Sequence, residues 1–166
     1  MAYNIAHVAL AKAVAASIVA ASGAGDYSQT VTVERVNVPL DDRDDLPDST
    51  APPLVTVFAG DRAAGGDGGR DGEQRSYRIV ATIRQKHQAN LAAATRLTNE
   101  DALVGLGEEI EQSIERTVYE LAGGITLAWE ETSGGAGGAS SPLLVGETER
   151  SNQFTAVIAW NFTSIF

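Results

Sequence analysis

The chain has 166 residues, 43% hydrophobic, 20% charged and 6% aromatic, with 22 acidic against 12 basic side chains and a formal net charge of -10. That length suits one domain that buries a core without staples; the absence of cysteine, with His7 and His87 the only histidines, removes disulfides, thiol nucleophiles and imidazole or thiolate metal clusters. A pI near 4.5 argues against holding nucleic acid by counterion release and leaves room for a protein that repels it.

Residues 3–22 are rich in alanine, with Ile5, Val8, Leu10, Val14, Ile18 and Val19 as the larger apolar side chains, a composition that predicts a helix. The small residues at 21–24 resemble a leader cleavage region. A positively charged start is missing, however, and Lys12 interrupts the apolar run, so the expectation is an amphipathic helix packed closely on a sheet, with no membrane association. Residues 29–38 alternate apolar and polar and slip phase between Val33 and Val36, predicting a half-buried strand with a bulge that ends at Pro39. An acidic turn follows, with Asp41, Asp42, Asp44, Asp45 and Asp48, and then a second strand over 54–59.

After a glycine-rich stretch, Tyr77, Ile79, Ala81 and Ile83 share one face of a third strand. Arg78, Arg84 and Lys86 share the other with Val80 and Thr82, and this basic face is expected outside the subunit's own core. Leu103, Leu106, Ile110, Ile114, Val118 and Leu121 recur at spacings of three and four and predict a helix over 98–121, with Thr98 and Asp101 as a capping pair and Gly123-Gly124 as its stop. Its outward face carries Glu108, Glu109, Glu111, Glu115 and Glu120. Strands over 125–130 and 153–162 close the chain, the last one central and covered on both sides.

The order of elements predicts an α+β fold: one domain over 1–166, a largely antiparallel sheet of about five strands, and two main helices on one face. The glycine-rich segments near 60–74 and 132–142 read as mobile loops within it.

Motifs for chemistry are sparse. The glycine loop lacks the Gly-Lys-Ser/Thr ending of a phosphate cradle. Asp61, Asp67 and Asp71 do not have the spacing of a calcium loop. His87 has no recognisable acid or nucleophile partner and reads as an edge residue, and the helix glutamates read as a solvated face. No cofactor, metal site or enzymatic activity is expected.

Three segments together resemble a known family. Residues 33–46, a strand that ends in proline and passes through an acidic turn, followed by Leu54-Val55-Thr56-Val57, are similar to the early part of tail terminator (tail completion) proteins of tailed bacteriophages. Residues 76–86, a tyrosine-led alternating run ending in Gln85 and Lys86, resemble that family's next strand, and residues 152–162 its closing strand, in the same order around a long helix. The two glycine-rich loops look longer than the family's.

The resemblance implies a virion subunit of the tail or neck, assembled in the host cytoplasm as a ring, typically a hexamer. Such a ring stops growth of the tail tube and offers the head-tail joining surface, so its partners are other copies, the tube protein and the connector or stopper protein. Packaged DNA would pass through without specific binding. The interface expected from the residues sets the basic face of Arg78, Arg84 and Lys86 against the acids Asp41, Asp42, Asp44, Asp45, Glu108, Glu111 and Glu115 of a neighbouring copy. The loop residues Asp61, Arg62, Asp67, Arg70 and Asp71 would then meet tube or connector. Alternatives of other kinds are a head completion or stopper protein and an unrelated non-enzymatic binding module.

Overall fold

A computed structural model describes residues 3–37, 45–60, 76–88, 90–129 and 152–165. Apart from Gly60, both glycine-rich segments, and with them the expectation that they are mobile, lie outside the described residues, as do Asp41, Asp42 and Asp44.

Helix α1 spans Tyr3–Ala24 and α2 spans Ala93–Glu115; the strands are β1 Thr32–Arg35, β2 Leu54–Ala59, β3 Ser76–Lys86, β4 Tyr119–Leu121, β5 Ile125–Trp129 and β6 Gln153–Ile165. The strands form one curled six-stranded sheet in the order β1-β2-β3-β6-β5-β4. This is an α+β architecture, with six strands in place of the expected five.

The extra strand explains where the helix prediction overran. Helix α2 begins before Thr98, whose hydroxyl donates within the helix to Ala94 O at 3.0 Å, so Thr98 is no cap; the N-cap is Ala92, without a side-chain cap. It ends at Glu115, where Arg116 N donates back to Gln112 O and Thr117 N to Ile114 O. Tyr119 and Leu121 then pair with Leu127 and Ile125 in a β4–β5 hairpin, and Gly123 and Gly124, at φ +92° and +76°, make its turn. The glycine pair supplies positive φ to a hairpin, the other common use of that signal.

Helix α1 ends close to its expected boundary. Asp26 N donates to Ala21 O (3.0 Å) and Gly25 N to Ser22 O (3.2 Å), with Gly25 at φ +79°, the bond pattern of a Schellman stop.

Strand β1 has four residues and pairs parallel with β2, Thr32 opposite Leu54. Parallel pairing of strands consecutive in the chain demands a crossover connection in place of a tight hairpin. All other ladders are antiparallel, and the longest joins β3 to β6 from Ser76↔Thr163 to Lys86↔Gln153.

Residues directly opposite across these ladders share a face, which separates two sets of side chains. One set contains Val55, Val57, Tyr77, Ile79, Ala81, Ile83, Phe154, Ala156, Ile158, Trp160 and Phe162, and both helices pack on it through Leu10, Val14 and Ile18 of α1 and Leu103, Leu106, Ile110 and Ile114 of α2. Each fully buried Leu or Ile there contributes roughly 1.5–3 kcal/mol relative to exposure. Helix α2 comes close to the sheet at Gly107, where a side chain's first carbon would lie 3.5 Å from Ile83 Cδ1.

Candidate assembly surface

The other set of side chains carries the basic residues of β3, and the structure divides them. Arg78 is exposed and Lys86 is half-buried, but Arg84 is only 4% exposed, lying across the ladders from Leu54 of β2 and Thr155 of β6. The expectation that this whole face stands outside the core therefore fails at its centre. Leu54, Thr56, Phe58, Val80, Thr82, Gln153 and Thr155 are buried there as well, and the hydroxyls of Thr56 and Thr82 hydrogen-bond across the β2–β3 ladder. Farther along β6, Val157, Ala159, Asn161 and Thr163 are half-buried, so that strand is central in the sheet but less fully covered than expected.

The acidic turn and the basic strand meet within the chain. Lys86 N donates to Pro47 O at 2.8 Å, and Asp48 forms an isolated parallel bridge with Lys86. Asp48 Oδ1 accepts from Thr50 N at 2.9 Å and from the Thr50 hydroxyl, and these bonds hold its carboxyl below the usual carboxylate range. Asp45 is exposed beside this junction. Glu108 is exposed and Glu111 and Glu115 are half-buried on α2, on the opposite side of the sheet from the basic residues of β3. Among the described residues, the acidic segment and the basic strand meet at the Pro47–Asp48 contact with Lys86, three residues on from Asp45. The expected contact loop of Asp61, Arg62, Asp67, Arg70 and Asp71 lies outside the described residues, as do the acids at 41, 42 and 44.

Two contact networks were not anticipated. The first is around His87, which follows a central strand instead of an edge one. Its side chain is 6% exposed, with Nε2 3.0 Å from Glu100 Oε1, and Arg96 Nε donates to the same oxygen at 3.2 Å. Burial, reinforced by the Arg96 guanidinium, holds the His87 imidazole below its ordinary range against the opposing pull of Glu100. The four-residue spacing of Arg96 and Glu100 was a legible helix signal, hidden by starting that helix too late.

The second network clasps the segment after α1 to α2. Tyr27 Oη lies 2.9 Å from Ser113 Oγ, Ser28 N donates to Glu109 Oε2 at 2.8 Å, and Gln29 Nε2 donates to Ala102 O at 3.4 Å. Glu109, expected on a solvated face, is therefore occupied inside the chain. Burial pushes the Tyr27 phenol up.

Among the described residues, no group of three or more His, Asp or Glu side chains could hold a metal ion. The chain matches no protein-family model, and no curated protein is significantly similar to it.

Proposed function

We propose that this chain is a structural subunit of a tailed-phage virion that forms a ring, typically of six copies, on the head-proximal end of the tail tube. There it ends tube polymerisation and presents the surface for head-tail joining. The observation that carries the reading is spatial: the segments that resemble the tail terminator family contribute β1, β2, β3 and β6, which are consecutive neighbours in the sheet. The family's long helix has its counterpart in α2, packed on that sheet.

Charge supports the same reading. A net charge of -10 disfavours counterion-release binding to DNA that must pass through the ring. Acids on the α2 side and the exposed Arg78 on the other give the chain two unlike surfaces, as a head-to-tail ring requires.

The test is tail length in electron micrographs of virions assembled without this protein. Overlong tubes are the expected result. Leaking heads with detached tails of normal length would assign the chain to a head-side stopper instead, and normal virions would overturn the reading.

A further inference from the structure

The two helices each turn one face to the sheet, and their outward faces are complementary. On α1 the buried residues include Ala6, His7, Leu10, Ala11, Val14 and Ile18, and Lys12, Ala16, Val19 and Gly23 lie on the opposite side and are exposed, Val19 by 54%. The helix contains no carboxylate. By length and composition it is apolar enough to cross a membrane, contrary to the sequence expectation, yet only 28% of its apolar stretch Ala6–Ala24 is buried.

On α2 the buried stripe of Leu103, Leu106, Ile110 and Ile114 leaves Asp101, Gly105, Glu108 and Gln112 facing outward. Gly105 stands out among them. It sits inside the helix, where glycine is less favourable than alanine, and a Cβ placed there would meet nothing within 4 Å. Packing among the described residues therefore does not call for glycine at this position. A second helix crossing closely over it would, because a missing side chain lets two backbones approach.

We infer that the outward face of α1 in one copy packs across Gly105 on α2 of the next copy, with Ala16 at the crossing and Lys12 against the α2 carboxylates. The spacing supports the charge contact. Lys12 lies one helical turn from Ala16, and Gly105 has Asp101 one turn to one side and Glu108 about one turn to the other, so Lys12 meets a carboxylate whichever way the helices run. Copies with a net charge of -10 repel one another, and a face free of carboxylates, with one lysine, is where an acidic helix of another copy is tolerated best. The contact joins two different patches, as a head-to-tail ring requires, and a reciprocal pair of such contacts would instead close a two-fold dimer. Its role in the virion rests on the ring reading above, which it deepens by naming the contact between copies.

The chain has no cysteine, which permits a direct test. Ala16→Cys and Gly105→Cys proteins, each alone and mixed in equal amounts, are oxidised mildly at low and high salt. The expected result is a mixed disulfide dimer at several-fold the yield of either self-dimer, reduced by salt, with thermal unfolding midpoints of both variants close to that of the parent chain. The doubly substituted chain should give a ladder of covalent multimers. Absence of excess mixed dimer overturns the contact. So does dominance of the Ala16→Cys self-dimer, which would put two α1 helices together, or insertion of α1 into phosphatidylcholine vesicles, read from a dye on that cysteine. Failure of this contact is separable from failure of the phage reading: cross-linking with normal tails in the protein's absence retains the contact and removes the role, and overlong tails without cross-linking do the reverse.

Discussion

The two faces of the sheet bury their central residues by different means. Under the helices, Val55, Ile79, Ile83, Ile158, Trp160 and Phe162 meet Leu10, Val14, Leu106 and Ile110 in an apolar interior where shape and volume set the stability. On the reverse face, Leu54, Phe58 and Val80 share the buried centre with Thr56, Thr82, Arg84 and Thr155. There the energy depends on whether each polar group keeps a partner, because an unsatisfied buried hydroxyl or charge loses hydration without recompense. One face should therefore respond to lost volume, and the other to lost hydrogen bonds even when volume is kept.

The largest effect should come from the helix-covered face. Ile158 is 1% exposed and lies under the point where α2 approaches the sheet at Gly107. Ile158→Ala should cost about 2–5 kcal/mol in denaturant unfolding. A loss well below 1 kcal/mol would mean that the interior is looser than this packing implies.

A smaller effect, of a different kind, is expected opposite. Thr82→Val keeps the side-chain volume but leaves the Thr56 hydroxyl without the partner it has across the ladder, and should cost about 1–3 kcal/mol. The double variant Thr56→Val/Thr82→Val removes both hydroxyls and should recover most of that loss. Simple additivity of the two single changes would show that the hydroxyls act independently and would erase the contrast between the faces.

The smallest effect concerns the rim, where β3 hands over to α2. The folded state holds His87 below its ordinary pKa, so the imidazole is neutral in both folded and unfolded chains above that ordinary value and contributes no pH dependence there. As pH falls through about 6.5 the unfolded chain binds a proton that the folded chain resists, and stability declines until the folded pKa is passed. His87→Gln should flatten this part of the curve in unfolding titrations. Persistence of the same slope in the variant would assign it to other groups.

What could be read ahead of the structure follows these same lines. Strands β2, β3 and β6 were legible because short runs rich in β-branched and aromatic residues stand between turn-forming segments, and their boundaries at Leu54, Ala59 and Lys86 agree with the composition breaks. The end of α2 was not. Val118 and Leu121 continue the helical spacing, but Val118 is 54% exposed and Leu121 pairs with Ile125, so a periodic pattern ran on into a hairpin. Arg84 was misread because alternation assigns a residue to a face and says nothing about what covers that face. The His87 and Tyr27 networks each join residues far apart in the chain, and nothing in a linear sequence announces such a meeting.

The net charge of -10, the lack of cysteine, the carboxylate-free α1 and the alternating β3 are properties of the sequence by itself, and they already specify a protein of helices and a sheet. Periodicity reaches that far because it encodes which side of an element is apolar. The parallel placement of β1 beside β2, the burial of Arg84, the sharing of Glu100 between His87 and Arg96 and the open flank at Gly105 were decided by the tertiary structure alone. Each depends on how separate elements sit against one another, a matter of packing geometry that local sequence preference does not contain.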